Sequence, residues 1–434
     1  MSSNIESIAS AAKMASIELA AADTELKNKA LANIAKTLKS KADEIIKANQ
    51  ADLDNAVKDN LDKPLLRRLK FDQAKIDGVC DGIESLIKLP EPVGATLDAT
   101  LLDEGLELYK VSCPIGVIGV IFESRPDALV QISTLCLKSG NAVLLKGGSE
   151  AMNTNRILAD LIAQACREVG LPDGWIGLLE TRQDVSGMLG LDEYIDLIVP
   201  RGSNEFVSYI MKNTSIPVLG HADGICHGYI DADADIDMAV RLAFDSKCQY
   251  PAVCNAMETL LVHEDVADKF LPKVKAEYDK ADTKLFGCER TAAIIDVEPA
   301  TEQDWKTEYL DYILSIKIVD SLAEAIAHIN KYGSGHTDLI VTGNKEAAKK
   351  FMALVDSGDV FWNASTRFSD GFRYGLGAEV GISTNKIHAR GPVGLEGLLI
   401  YKWKLIGKGQ TVSDFSGEGG RKFTHTKLDK EFKL

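Results

Sequence analysis

The sequence predicts an α/β protein: a doubly wound sheet unit, a second α/β unit following it, and a projecting β-hairpin arm. Three observations carry this. Between residues 115 and 230, apolar runs of strand length alternate with helix-length amphipathic stretches. That alternation means repeated strand–helix–strand crossovers and a mostly parallel sheet. From residue 245 to about 385 it resumes, and 434 residues are more than one ordinary core accommodates. Finally, the runs A-T-L-L and L-E-L-Y-K-V flank Asp103-Glu104-Gly105, which suits a hairpin with a tight turn.

Taken in order, residues 1–90 read as helices. Leu31, Ile34, Leu38, Ala42 and Ile45 recur at helical spacing, as do Ile76, Val79, Ile83, Leu86 and Ile87. Pro90 and Pro92 stop the second stripe. The hairpin follows. Strands are then expected over 115–122, 141–146, 175–180 and 196–200, with helices over 128–138 and 157–169 between them. Asp231, Asp233 and Asp235 resemble the start of a calcium loop, but Ile236 and Leu242 stand where Gly and Glu are needed. They are better explained as caps for a helix from Ile236 to about Phe244. The second unit adds a strand at Thr259–Val262, a helix over 323–330, a strand over 338–342 and a long loop over 361–379.

Composition narrows the function. With 64 acidic against 49 basic side chains the formal charge is −15, which argues against nucleic acid or an anionic membrane as partner. Eight cysteines in 434 residues make no disulfide framework, and Cys248 and Cys254 lack the spacing of a zinc site, so no metal is expected. The N-terminal stretch shows no signal or transit pattern, and no apolar run reaches 18 residues. A cytoplasmic protein is the expectation.

Chemistry points to Ser246–His263. Cys254 sits there between a turn-like segment with Pro251 and the apolar run Thr259–Val262, flanked by Ala252 and Ala256. A free thiol is only ~3% thiolate at neutral pH, yet the thiolate is a strong nucleophile. Alone, such a cysteine is more often structural. The surrounding run, however, resembles the thiol loop of the aldehyde dehydrogenase superfamily, with Gln249 five residues before Cys254. The longer form Y-P-A-V-C-N-A-M-E-T-L-L-V-H, and the stretches 325–340 and 363–395, resemble more specifically the γ-glutamyl phosphate reductase family of that superfamily. The resemblance extends over nearly the whole chain.

It implies a cofactor-binding domain (1–98 and 115–235), a catalytic domain (236–390) and an oligomerisation arm (99–114 and 397–434). Lys146-Gly147-Gly148-Ser149 and Arg201-Gly202-Ser203 each follow a predicted strand, where glycines let backbone N–H groups approach phosphate. Neither is a G-x-G-x-x-G fingerprint; the resemblance makes them cofactor loops, with Glu308 on the nicotinamide ribose. NAD-preferring relatives carry glutamate where Ser149 stands, although Glu150 is adjacent. A hydroxyl tolerates a 2′-phosphate that a carboxylate would repel, so NADPH is the expected cofactor.

Two departures refine this. Hydrolytic relatives carry Glu-Leu-Gly-Gly, whose glutamate activates water; the matching stretch Val218–His227 has no glutamate at that point. His221 and Asp223 would serve the substrate or cap a turn. F-E-S-R-P-D (122–127) replaces the relatives' Pro-Trp-Asn segment, putting Arg125 near the oxyanion donor's position. Asn255 is a further substrate or oxyanion candidate, and Asn363, Ser365, Thr366 and Arg367 would receive the amino-acid end of the substrate. The implied reaction is NADPH-dependent reduction of L-glutamyl 5-phosphate through a Cys254 thioester, in proline biosynthesis. The enzyme would be a homo-oligomer, with association with glutamate 5-kinase left open. An acyl-CoA-reducing relative and a catalytically silent homologue are the alternatives.

Overall fold

Helix formation in the N-terminal region follows from its apolar stripes and caps. The computed structural model describes residues 3–433 except 124, 222 and 378, without the side chains of 3, 4, 63, 64 and 182. Helices span Ser3–Leu19, Thr24–Ser40, Ala42–Lys58, Lys63–Leu69 and Gln73–Lys88. Asp23 and Asp72 cap two of them, accepting from the N–H of Leu26 and of Lys75. The stripe read as one run, Leu31 to Ile45, is buried throughout but divided between two helices at Lys41.

The first unit comprises residues 1–202, 209–218 and 394–434. Its sheet has four parallel strands in the order Ile176–Leu179, Ala142–Lys146, Val117–Phe122, Leu197–Arg201. The two central strands are buried at every residue, as a sheet covered on both faces requires. Strand order reverses at Val117–Phe122: the chain first steps to one side of it, then returns to place Leu197–Arg201 on the other. The carboxyl ends of these two strands are therefore a topological switch point, where doubly wound sheets bind ligands.

The hairpin is present, with strands Thr96–Asp103 and Leu106–Pro114 and Gly105 at φ +71° in its turn. Leu399–Ile406 pairs antiparallel with its second strand. The tail beyond Lys408 adds a short strand, Thr426–Lys427, to the hairpin's other edge. It also packs Phe432 on Tyr109 at 5.4 Å.

The second unit comprises residues 203–208 and 219–393. Its seven parallel strands run in the order Glu298–Pro299, Lys284–Gly287, Ile313–Val319, Met257–His263, Cys226–Ile230, Thr337–Val341, Asp359–Trp362. The boundary expected at 235/236 is corrected to 218/219, because Cys226–Ile230 pairs with Met257–His263 and Thr337–Val341 instead of extending the first sheet. One face buries Leu260, Phe270 and Ile316 and the other Leu261, Ile329 and Phe351, so this sheet too is doubly wound. Of the three aspartates read as caps, only Asp235 caps the helix Ile236–Cys248, accepting from the N–H of Met238. Among the described residues, no helix is long and apolar enough to cross a membrane.

Candidate active site

In the first unit, cavities border the loops that follow the strands. At the switch point, a cavity of about 180 Å³ is lined by Phe122, Glu123, Arg125, Arg201 and Gly202, together with Arg68. Three arginines thus border one small space. Arg125 also pairs with Asp127 at 3.2 Å, whose carboxyl, despite its burial, is held below the usual carboxylate range by Arg125 and Lys75. Arg68, from the helix Lys63–Leu69, was not legible as a site residue because nothing in its local sequence marks it.

The second cavity, about 470 Å³, lies beside Ser149 and Glu150 and is bordered also by Asn55, Lys58 and Asp59. The buried Lys146 amine donates to the carbonyl of Gly147 at 2.5 Å. Gly147 is needed for packing: a Cβ there would lie 2.2 Å from the Asn155 amide nitrogen. One at Gly148 would meet the Glu150 carboxylate. Ser149 opens a single 3₁₀ turn that leads into the helix Met152–Arg167. The N-terminus of that helix, an obvious phosphate seat, already holds a carboxylate. Asp52 accepts from the N–H groups of Asn153 (3.1 Å) and Thr154 (2.8 Å) and from the Thr154 hydroxyl (2.6 Å). These two N–H groups are therefore already occupied.

In the second unit the thiol lies at the amino ends of the strands, in the loop entering Met257–His263. Gly224 passes directly against it: a Cβ there would fall 2.2 Å from the Cys254 carbonyl oxygen and 2.5 Å from its Cα. Only glycine permits that approach. The Cys226 thiol donates to the same carbonyl at 3.2 Å. His221, Cys254 and the buried His336 each place a donor atom within 4.8 Å of the other two. The two imidazoles meet edge-on, with centroids 5.0 Å apart. His221 Nδ1 bonds the Ile382 carbonyl at 2.9 Å, and His336 Nδ1 lies 2.7 Å from the Thr337 hydroxyl. Burial, reinforced by His221, holds His336 well below the ordinary histidine range.

Cys254 keeps part of its surface, yet its thiol is pushed up to about 12. Desolvation is the main cause, and the charges of Glu308 and Glu379 add to it; Arg367 acts the other way. The resting thiol is therefore protonated at neutral pH. Asn204 holds two carboxylates of this region, donating to Glu308 (2.6 Å) and Asp223 (3.0 Å). Glu379 accepts from the N–H of Gly371. Behind the thiol, the fully buried Lys247–Glu258 pair closes at 2.6 Å, and Glu258 also accepts from the N–H of Leu310 at 3.3 Å. Burial, partly opposed by Lys247, raises the Glu258 carboxyl to about 7.

The loop after Asp359–Trp362 divides in two. Ser365 and Thr366 bond Ser246, Arg367 donates to Gln249 at 3.0 Å, and Asn255 donates to the Ser369 carbonyl at 2.7 Å. These interactions tie the loop to the segment carrying Cys254. Asn255 Oδ1 and Thr366 Oγ1 are buried with no partner, so each has a free hydrogen-bonding position. Asn363 is placed differently: both ends of its amide bond the Thr342 backbone at 3.0 Å, at the carboxyl end of the sheet. It pins a loop there, whereas Ser365, Thr366 and Arg367 bond the segment that carries Cys254. Ser203 accepts from the N–H of Phe206 at 3.4 Å, opening the helix Asn204–Lys212. His336, Glu379, Asn204 and Gly224 were not assigned from the sequence; the first two lie inside the stretches that carried the resemblance.

Comparison with known proteins agrees with this architecture. The model of the aldehyde dehydrogenase family matches residues 1–285. A gamma-glutamyl phosphate reductase from Acetivibrio thermocellus is 67% identical over 99% of this chain and 100% of its own length. One from Methanosarcina acetivorans is 53% identical over 100% and 99%. The crystal structure of gamma-glutamyl phosphate reductase from Thermotoga maritima superposes with a TM-score of 0.91 at 42% identity, covering 94% of this chain and 99% of that one. An acetylating aldehyde dehydrogenase from Geobacillus thermoglucosidasius, 17% identical over 94% of this chain and 98% of its own (TM-score 0.62), shares the fold. The chain belongs to the aldehyde dehydrogenase family, whose members use a nicotinamide cofactor, and within it to the gamma-glutamyl phosphate reductases.

Proposed function

We propose that the chain reduces L-glutamyl 5-phosphate to L-glutamate 5-semialdehyde with release of phosphate, using NADPH and a thioester on Cys254. The observation that carries this is the 67% identity, end to end, with a gamma-glutamyl phosphate reductase. The cofactor, when bound, supplies the hydride. Cys254 gives up its proton to solvent and its sulfur attacks the acyl carbon, forming the thioester as phosphate leaves with the electron pair of the broken C–O bond. Asn255 and Arg367, tied into the same segment, suit the oxyanion or the α-carboxylate. The thiohemiacetal formed by hydride addition then expels the thiolate, giving the aldehyde.

NADPH is favoured over NADH because Ser149, and no glutamate, stands at the loop position and shares its cavity with the cation Lys58, although Asp52, Asp59 and Glu150 border the same space. The arginine-lined cavity at the switch point suits cofactor phosphates or the acyl phosphate. A homo-oligomer fits the edge strand Leu399–Ile406, which exposes Ile400, Tyr401, Trp403 and Leu405. A cytoplasmic setting fits eight free thiols, and direct transfer from glutamate 5-kinase would protect a labile acyl phosphate.

The test runs the reaction backwards. No glutamate stands in Val218–His227 to activate water, and general-base assistance typically supplies roughly 10²–10⁴-fold. NADPH formation from glutamate semialdehyde and NADP⁺ should therefore need phosphate or arsenate. Steady turnover in phosphate-free buffer would instead indicate an ordinary hydrolytic dehydrogenase.

A further inference from the structure

His221, Cys254 and His336 lie 33 or more residues apart in the sequence, so no spacing motif announces them, yet the second unit gathers their donor atoms within 4.8 Å. Each imidazole already uses one nitrogen: His221 Nδ1 on the Ile382 carbonyl, His336 Nδ1 on the Thr337 hydroxyl. Ligating histidines are commonly held in this way, one ring nitrogen on a partner and the other available to a metal. His336 is only 1% exposed, and its Nε2 is buried without any partner. Cys254 and His221 both retain exposure, so the group is reachable from solvent.

We propose that His221, Cys254 and His336 form a site for a zinc-class divalent cation that reversibly blocks the Cys254 sulfur. Two imidazoles and a thiolate are the donor set such ions prefer, with a fourth position left to water. Tetrahedral bonds of about 2.0 Å to nitrogen and 2.3 Å to sulfur put the donors roughly 3.3–3.6 Å apart, so the cluster must contract by about an ångström. Binding replaces the thiol proton, which leaves to solvent as the sulfur–metal bond forms; no oxidant or reductant is needed. Hard ions such as Mg²⁺ have no oxygen cage here and are excluded by the same chemistry. That the metal-bound enzyme is inactive rests on the proposed nucleophilic role of Cys254; that metal binds does not.

The experiment uses the full chain, freed of metal with a chelator, and titrates Zn²⁺ against a chromophoric competitor. One Zn²⁺ per chain is expected, weakened at least ~100-fold in Cys254→Ser and at least ~10-fold in His221→Ala and His336→Ala. Co²⁺ should give the thiolate-to-metal charge-transfer band, lost in Cys254→Ser. Peptide mapping after iodoacetamide should show Zn²⁺ protecting Cys254 but not Cys288. His336→Gln, checked by circular dichroism, substitutes if His336→Ala does not fold. Unchanged Zn²⁺ affinity in the His221→Ala/Cys254→Ser double variant, or no charge-transfer band in wild type, overturns the proposal. Zn²⁺ bound by these ligands without loss of turnover would leave the site standing and remove Cys254 from catalysis. An inactive Cys254→Ser in a chain that binds no Zn²⁺ would do the opposite.

Discussion

The two parallel sheets carry their candidate sites at opposite ends. In the first unit the arginine-lined cavity lies beyond the carboxyl ends of the strands, at the switch point, where the doubly wound rule puts ligands. In the second unit the thiol group gathers at the amino ends: Cys254 before Met257–His263, Gly224 before Cys226–Ile230, His336 before Thr337–Val341. The carboxyl end of that sheet is closed by its own polar groups. Asp231 accepts from the Thr342 hydroxyl at 2.6 Å, Asp233 from Asn344 at 3.0 Å, and Asn363 holds Thr342 from both sides. Topology therefore locates the first site and would misplace the second, which only its residues identify.

The largest test of this contrast removes the amino-end nucleophile. Cys254→Ser should lose at least ~1,000-fold in kcat, because an alcohol cannot replace a thiolate. Cys248→Ser, whose buried thiol already rests 3.4 Å from the Thr283 hydroxyl, and Cys288→Ser should stay within about threefold of wild type, serine being near-isosteric at a position with no part in the chemistry. Equal losses in all three would dissolve the distinction. At the first unit, Ser149→Glu should lower the NADPH-to-NADH ratio of kcat/KM by roughly 5–150-fold, a like-charge clash of about 1–3 kcal/mol. A ratio that does not move would detach Ser149 from the ribose.

The strand-and-helix order was legible because buried parallel strands read as unbroken apolar runs, and each such run proved to be a strand. The boundary at 218/219 was not, since the strand Cys226–Ile230 was not singled out in the sequence and its pairing with Met257–His263 is set by the fold. Cys254 was legible through its flanking run. His336 and Glu379 were visible in family-like stretches but had no role assigned, because their proximity to the thiol comes from the sheet order alone. Arg68 and Asp52 lie on early helices and meet the strand-end loops only after folding.

Thiol reactivity sharpens the comparison further. With the Cys254 thiol at about 12, its alkylation by iodoacetamide should rise about tenfold per pH unit from 7 to 10 without a plateau, as the thiolate fraction does. Cys288 is also partly exposed; burial raises its thiol, but hydrogen bonds from Thr291 and neighbouring N–H groups bring it below the usual range. At pH 8 it should label first. Replacing Glu308 by Gln removes an anion that opposes the Cys254 thiolate, so the acidity rises and labelling at fixed pH should quicken by about three- to tenfold. Slower or unchanged labelling would mean that the Glu308 charge does not reach the sulfur.

The smallest expected effect on turnover lies at the closed carboxyl end. Asn363 adopts φ +55°, a left-handed conformation that asparagine and glycine tolerate and most residues do not. Its amide accepts from the Thr342 N–H and donates to the Thr342 carbonyl, which fixes the turn leaving Asp359–Trp362. Asn363→Ala loses both bonds and strains the backbone, and should destabilise the chain by about 1–3 kcal/mol, read as a lower urea midpoint. Asn363→Gly loses the bonds but keeps the conformation, and should fall between wild type and the alanine variant. If the carboxyl end of this sheet is structural, both variants should keep kcat and KM within about twofold at a temperature where they remain folded, since surface-loop changes away from the chemistry alter stability and little else. A tenfold rise in KM for the acyl substrate in both variants, with stability unchanged in the glycine one, would put Asn363 back at the substrate and make the two ends of the sheet parts of one site.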